Sequence, residues 1–271
     1  MRIALQWMGQ RCTVEAPEAV ARDVARLFSP LVADESDSSG ADVSAVEDGD
    51  WTLVTAQTTD ECLGHPDTLS AIELAVTRHL MAADTHHSHL HAAGALTSGG
   101  CAVLALGASG SGKSSLAYAW YRDGVPVLGD DVVFLDAESR AHAFPRPMKV
   151  DTTRLIDAGE PPEDTLAWDP NATEVWVDPT GGAGWAAGGL PVGIVADIKF
   201  VPDAETSVEE IKGPARLRLL LDSLHPSGTP RTESLDRLIV IAEQSDFYRV
   251  RFGNTGTASA DLLALADTRV R

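Results

Sequence analysis

The chain has 271 residues, of which 44% are hydrophobic, so it can bury a sizeable core in one large domain or two smaller ones. Its 40 acidic residues outnumber its 21 basic residues and give a formal net charge of −19 at pH 7. A surface of this charge repels the phosphates of nucleic acid and attracts basic peptides. We therefore exclude nucleic acid as an expected partner.

Cysteine usage and hydropathy limit the expected compartment. The three cysteines, at positions 12, 62 and 101, are odd in number and lack the spacing of metal ligands, so we interpret them as reduced, structural thiols. No apolar run reaches the length of a signal sequence or a membrane span. These patterns predict a cytoplasmic protein with no membrane partner.

The first 85 residues predict a small α+β region. Apolar patterning predicts strands at residues 3–8 and 52–57 and helices at residues 17–28 and 67–83. Residues 34–50 are acidic and turn-rich, which predicts an exposed loop around a short edge strand. No residue pattern in this region indicates chemistry.

Residues 107–114, Gly-Ala-Ser-Gly-Ser-Gly-Lys-Ser, match the phosphate-binding loop GxxxxGK followed by Ser or Thr. An apolar strand at residues 101–106 precedes them, and helix-forming residues follow. The glycines let successive backbone N–H groups curl around an anion at the positive end of the helix dipole. Lys113 adds a charge for the β- and γ-phosphates, and Ser114 offers a hydroxyl to Mg²⁺. The residues predicted to bind the nucleotide are Gly107, Ser109, Gly110, Ser111, Gly112, Lys113, Ser114 and Ser115.

His91 is predicted to lie beside this loop. Residues 91–96 and 101–106 flank a turn cluster at residues 97–100, and a hairpin about that turn sets position 91 opposite about position 106. His91 would then stand at the mouth of the phosphate loop. The nearby His86, His87 and His89 lack a second ligand cluster, so we interpret them as exposed or interface residues.

Asp130 and Asp131 follow Lys113 across one helix and one short apolar run, and they continue into the apolar residues 132–135. Two adjacent carboxylates inside an apolar strand are costly to bury unless a metal ion or a proton-accepting role compensates them. The pair therefore predicts a functional site.

The downstream half contains basic residues on a rigid segment and several predicted elements. Arg146 and Lys149 lie on a proline-stiffened stretch and could contact phosphates or a substrate carboxylate. Residues 181–189 are glycine-rich and are predicted to be mobile. Residues 238–243 imitate the acid-bearing strand of transport ATPases but lack its preceding Asp, so we interpret them as a core strand. Further strands are predicted at residues 174–177, 193–201 and 247–252, and helices at residues 215–224 and 259–266.

Taken together, these motifs resemble the HPr kinase/phosphorylase superfamily, whose fold is shared with the phosphoenolpyruvate carboxykinases. The resemblance covers residues 85–255, and its later part is similar to the branch that contains the lasso peptide kinases. The motifs that carry it are His91-Ala92-Ala93-Gly94, the loop at residues 107–114, Gly124 followed by Asp130-Asp131-Val132-Val133, Phe144-Pro145-Arg146-Pro147, and Asp246-Phe247-Tyr248-Arg249-Val250.

The resemblance implies an α/β fold, with a carboxykinase-like P-loop kinase core and a mixed sheet in residues 86–271 after the α+β region of residues 1–85. It implies a kinase that uses ATP or GTP with Mg²⁺, and family members often assemble into homo-oligomers. In this core Lys113 and the loop amides hold the triphosphate, and Ser114 and Asp130 serve Mg²⁺. Asp131 accepts the proton of the substrate hydroxyl, and His91 stabilises the transferring phosphoryl group or pairs with an aspartate. The opposite split, with Asp131 on the metal and Asp130 as base, stays open, since adjacent strand residues face opposite sides.

The chain lacks two segments of HPr kinases proper, the Glu-Val-Arg-Gly-x-Gly stretch and the later loop that recognises HPr. We therefore expect the kinase activity alone, with a seryl residue of a ribosomally made precursor peptide as acceptor. Two alternatives stay open: a kinase for a small molecule such as free serine, and a non-catalytic nucleotide-binding regulatory module.

Overall fold

The computed structural model describes residues 1–33, 40–48, 51–56, 59–63, 65–151, 165–166, 174–181 and 184–269. The chain divides into two compact units, Met1–Thr85 (unit 1) and His86–Arg271 (unit 2). Both contain helices and strands, so the protein is a mixed α/β protein. In the described part of the chain, no helix is long and apolar enough to cross a membrane.

Unit 1 is a mixed sheet with two helices. The sheet order is β3-β1-β2-β4-β5-β6, with only the β2–β4 pair parallel. Helix α2 buries Leu69, Ile72, Val76 and Leu80, whose spacing of three and four residues puts them on one face. The elements are β1 (Arg2–Trp7), β2 (Gln10–Glu15), α1 (Glu18–Leu27), β3 (Val32–Ala33), β4 (Val43–Asp48), β5 (Trp51–Ala56), β6 (Thr59–Leu63) and α2 (His65–Ala83).

Unit 2 is built on an eight-stranded mixed sheet in which β8, β15 and β17 are neighbouring parallel strands. A three-stranded sheet of order β12-β14-β13 accompanies it. The strands are β7 (Ser88–Leu96), β8 (Ala102–Leu106), β9 (Val127–Gly129), β10 (Val132–Leu135), β11 (Arg140–His142), β12 (Met148–Asp151), β13 (Thr165–Leu166), β14 (Glu174–Val177), β15 (Leu190–Phe200), β16 (Ser207–Glu210) and β17 (Asp246–Phe252). The helices are α3 (Lys113–Arg122), α4 (Ala215–Asp222), α5 (Arg231–Gln244) and α6 (Thr255–Arg269).

Both faces of the large sheet are covered, which explains why its central strands read as continuous apolar runs. Along β8, Val103 and Ala105 face a cluster that includes residues of α3 and α6. Ala102, Leu104 and Leu106 face the opposite cluster, which includes residues of α4 and α5. This period-two alternation makes unit 2 a helix–sheet–helix arrangement with the loop of residues 107–112 at the carboxyl end of β8.

Three sequence predictions are wrong. Residues 238–242 belong to helix α5 and are not a core strand. Strand β4 is not an edge strand, because it pairs with β2 on one side and β5 on the other. Asp130 and Asp131 lie between β9 and β10 and not inside a strand, so the chain bends where the carboxylates stand. Parts of the predicted loop at residues 34–50 and of the glycine-rich stretch at 181–189 lie outside the described residues.

Candidate functional site

The loop between β8 and α3 has a conformation that its glycines make possible. Gly107, Gly110 and Gly112 have φ of +154°, +77° and +102°, in the region that L side chains rarely adopt. A Cβ on Gly107 would stand 2.7 Å from the backbone oxygen of Ile198. The strand-loop-helix sequence of the motif therefore folds as an anion-binding turn requires, with the N-terminus of α3 behind it.

Lys113 is the first residue of α3, and its ammonium group turns back over the loop. Its Nζ donates hydrogen bonds to the carbonyl oxygens of Gly107 at 2.8 Å and Ala108 at 3.2 Å. Burial lowers the pKa of Lys113, and the charges of Asp131 and Asp130 oppose this shift. A buried cation is thus held at the loop, where a phosphate oxygen could bind it.

A cleft of about 210 Å³, which we call the loop cleft, opens beside this lysine. It brings together loop residues, one of the two aspartates and the predicted histidine, because β7 and β8 pair with Ala92 opposite Leu106. The hairpin register is thus within one residue of the prediction. The residues lining the loop cleft are His91, Ser109, Gly110, Gly112, Lys113, Ser114, Ser115, Asp131, Lys149, Val150 and Asp151.

Asp130 is buried, with 3% of its surface exposed. The Ser114 hydroxyl and the Lys149 backbone N–H donate hydrogen bonds to its carboxylate. Arg146 Nη2 lies 3.4 Å from Asp130 Oδ1. Burial raises the pKa of Asp130, while Arg146 acts in the opposite direction. A buried carboxylate that is hydrogen-bonded to a hydroxyl offers the hard oxygen ligands that Mg²⁺ prefers.

Asp131 has different surroundings from its neighbour. Its Oδ1 lies 2.9 Å from His91 Nε2, and its side chain is 44% exposed. The hydrogen bond from His91 lowers the pKa of Asp131 to about 2, with a further contribution from Arg146. The carboxylate is therefore ionised at neutral pH and faces the loop cleft, so it can accept a proton from a group bound there.

His225 also lies beside His91, although no sequence pattern predicts it. Its ring centroid lies 5.3 Å from that of His91, and burial lowers its pKa, with His91 lowering it further. No motif contains His225. Its position depends on the bridge between Leu90 and Leu224 and on the hydrogen bond from the His225 backbone N–H to the His89 carbonyl, which join segments far apart in the chain.

The two downstream basic residues have different positions. Arg146 is paired with both aspartates, at 3.4 Å from Asp130 and 3.7 Å from Asp131, and does not line the loop cleft. Lys149 does line it, and its Nζ lies 5.7 Å from the centre of the Trp176 ring. Arg146 thus neutralises carboxylates, whereas Lys149 remains a candidate contact for an anion in the cleft.

The other histidines before the loop do not all match their interpretation as exposed or interface residues. His86 is exposed, but His89 is fully buried, and its ring lies 4.4 Å from the ring of Phe134. His89 is therefore a packing residue. His89 and His91 are two residues apart on β7, so the alternation of side chains along a strand sets them on the same face.

A second cavity of about 420 Å³, the strand-end cavity, also borders the phosphate loop and shares Ser109 and Gly110 with the loop cleft. Ser111 is among its lining residues and is 8% exposed, and no hydrogen-bond partner for its Oγ occurs among the residues that the structure describes. No motif predicts this cavity, because its walls come from the phosphate loop and from the ends of β15 and β17. They are formed by Ala108, Ser109, Gly110, Ser111, Asp197, Ile198, Lys199, Phe200, Arg249 and Arg251.

Comparison of the chain with protein-family models and with curated proteins finds no match.

Proposed function

We propose that this protein is an ATP-dependent kinase with a carboxykinase-like P-loop core, related to the HPr kinases, that phosphorylates a seryl hydroxyl of a precursor peptide. One observation carries the proposal: Lys113, Ser114 and Asp131 line a single cleft, and the Ser114 hydroxyl donates a hydrogen bond to the buried Asp130. Phosphoryl transfer needs a cation for the phosphates, oxygen ligands for a metal and a carboxylate for the hydroxyl proton, and this set provides all three. The proposal includes a cytoplasmic location, where ATP is available.

The nucleotide would bind with its phosphates at the loop amides and the Lys113 ammonium. The Ser114 hydroxyl and the Asp130 carboxylate would hold Mg²⁺, which would neutralise charge on the phosphates. Asp130 suits this role because its buried charge needs compensation beyond a single arginine at 3.4 Å. GTP has the same phosphates and could replace ATP in these contacts.

Asp131 is the better candidate for the general base. It lines the loop cleft, where its Oδ1 lies 2.9 Å from His91 Nε2, whereas Asp130 is buried and hydrogen-bonded to Ser114. The seryl oxygen attacks the γ-phosphorus as its proton passes to Asp131, and the bond between the γ-phosphorus and the bridging oxygen breaks to release ADP or GDP. His91 holds the Asp131 carboxylate in position for this transfer.

The strand-end cavity is the candidate site for the nucleoside. The loop cleft, at about 210 Å³, leaves little room for a base and ribose besides phosphates and acceptor, while the strand-end cavity adds about 420 Å³ beside the same loop. Asp197 and Ser111 offer polar groups for ribose hydroxyls, and Phe200 offers an aromatic ring.

The direct test is phosphate transfer from labelled ATP with Mg²⁺ to peptides that differ only in carrying Ser or Ala. We expect label on the Ser peptide and none on the Ala peptide, and EDTA should abolish labelling. Release of free phosphate without any labelled peptide or small molecule would contradict the proposal.

Asp131→Asn separates a kinase from a nucleotide-binding regulatory module. For a general base we expect transfer to fall by about 10²–10⁴-fold, while ATP affinity, measured by calorimetry, stays close to that of the wild type. The Asn side chain keeps the volume and one acceptor oxygen, so the variant should fold. Unchanged transfer would rule out Asp131 as the base.

A second candidate is a kinase for a small hydroxyl compound such as free serine. The small volume of the loop cleft favours it, since a compact pocket suits a compact acceptor. A competition assay with free serine distinguishes the two candidates. If the peptide is the acceptor, free serine at high concentration should not reduce peptide labelling. If a small molecule is the acceptor, free serine should itself become labelled.

A further inference from the structure

Unit 1 brings together three side chains of metal-binding type that lie far apart in the sequence. Cys12 is on β2, Asp42 directly precedes β4, and His79 is on α2. One ligand atom from each, a sulfur, a carboxylate oxygen and a ring nitrogen, lies within 4.8 Å of the other two. The sequence alone predicts a structural thiol at Cys12, because no local spacing connects these three positions.

Separate contacts orient two of the three side chains. The Thr13 backbone N–H donates to Asp42 Oδ2 at 2.8 Å, and this leaves Oδ1 directed at His79 Nε2, 3.8 Å away. His79 Nε2 also lies 3.1 Å from the Arg11 carbonyl oxygen. The Thr13 contact fixes the Asp42 carboxylate in the way that outer hydrogen bonds fix metal ligands. A metal bound at His79 Nε2 would replace the contact of that nitrogen with the Arg11 carbonyl oxygen, and both backbone groups belong to the strand that carries Cys12.

Cys12 is free and fully buried, so its sulfur is held against the other two groups by packing and not by a disulfide. Burial and the neighbouring Asp42 raise the pKa of the Cys12 thiol to about 12. A fully buried thiol is inaccessible to a macromolecular substrate, which argues against a Cys-His-Asp nucleophile. A small cation can still reach the group from the partly exposed side of Asp42 and His79, which are 30% and 21% exposed.

We propose that Cys12, Asp42 and His79 form a binding site for a divalent transition metal of the zinc class. Thiolate, imidazole and carboxylate are the protein ligands of Zn²⁺, whereas Mg²⁺ and Ca²⁺ select oxygen alone. Water would complete a four-coordinate shell. Binding releases the thiol proton to solvent as the sulfur–metal bond forms, and the dication compensates the thiolate and the Asp42 carboxylate. The site belongs to unit 1 and is independent of the proposed kinase activity.

The test measures metal content in the full chain. Purified protein is incubated with Zn²⁺, desalted and analysed by plasma mass spectrometry, and the Co²⁺ form is examined for thiolate-to-cobalt absorption in the near ultraviolet. Cys12→Ser and His79→Gln each remove one ligand. Cys101→Ser is the matched control, since Cys101 is also free and buried but outside the cluster.

We expect one zinc per wild-type chain, with retained zinc falling at least tenfold in both ligand variants and unchanged in Cys101→Ser. The thiolate-to-cobalt absorption should disappear in Cys12→Ser and persist in Cys101→Ser. Absence of zinc from the wild type, or full retention by folded Cys12→Ser, overturns the proposal. If Cys12→Ser fails to fold, the partly exposed His79→Gln decides the question, and full retention in that variant counts against the site.

Discussion

Asp130 and Asp131 are adjacent in the chain, yet the pKa values of their carboxyl groups shift in opposite directions. Burial raises the pKa of Asp130, whereas the hydrogen bond from His91 lowers the pKa of Asp131 to about 2. The bend between β9 and β10 separates them, so that one faces Ser114 and the other the loop cleft. Two carboxylates in different environments can perform different tasks at one pH.

The low pKa of Asp131 predicts a pH-dependent contribution to stability. Its pKa is about 2 in the folded protein against an ordinary value of 3.8. The unfolded chain therefore takes up the proton first, and the contribution is present above about pH 4 and is lost as the pH falls towards 2. We expect the difference in unfolding free energy between wild type and Asp131→Asn to shrink over that range, as measured by urea unfolding.

His91 provides the control for this experiment. In a His91→Ala background the main cause of the shift is gone, so the pH dependence of the Asp131→Asn difference should be much weaker. A difference that keeps the same pH dependence without His91 would show that another group holds the charge. A difference that does not change with pH in the wild type would contradict the prediction outright.

Single residues were predictable where a motif or a local pairing fixed them. The loop from Gly107 to Ser114 follows from a motif, and the approach of His91 follows from a hairpin of few residues. His225 and the Cys12 cluster were not predictable, since each depends on contacts between distant segments. Arg146 shows a third case, because its charge was evident but its partners, two carboxylates, were not.

The amino-acid composition of helix α5 favours a strand, whereas the spacing of its buried residues is helical. Leu238-Ile239-Val240-Ile241-Ala242 is rich in β-branched residues, which favours a strand. The buried residues of α5 are Ser234, Arg237, Leu238 and Ile241, a helical spacing of three and four that becomes evident only over a longer window. Tertiary packing therefore overrides the local preference.

The helical assignment predicts a contrast between two leucines of α5. Leu238 is fully buried in the core of unit 2, while Leu235 is 37% exposed. Leu238→Ala should lower the free energy of unfolding by about 2–5 kcal/mol, because it leaves a cavity. Leu235→Ala, the same change in the same helix, should alter it by about 0.5 kcal/mol or less. Urea unfolding measures both, and equal effects would contradict this packing.

At the scale of the whole molecule, the formal charge of −19 predicts that a peptide acceptor is basic and that its binding depends on salt. For a basic serine peptide we expect KM to rise with NaCl concentration, because screening weakens attraction between separated charges. A peptide of the same length with neutral residues in place of Lys and Arg is the control. If both peptides respond equally to salt, the charge of the protein does not select its acceptor.

The mixed α/β class of the molecule was predictable from alternating apolar runs and helix-forming segments, and the structure confirms it. The sheet order of unit 2 was not predictable in the same way. Strand β15 pairs with β8 and β17, which lie far from it in the sequence, and no local signal specifies such neighbours. Motifs thus indicate the chemistry of a loop more readily than the partners of a strand.

The contacts of Lys113 have a thermodynamic consequence. Folding buries Lys113, which is 7% exposed, and gives its ammonium two carbonyl acceptors of its own loop. In the proposed function, an arriving phosphate would replace these carbonyl acceptors and would meet a cation that folding has already withdrawn in part from water. The cost of burying this cation would then lower the stability of the ligand-free fold, and binding of the anion would offset that cost.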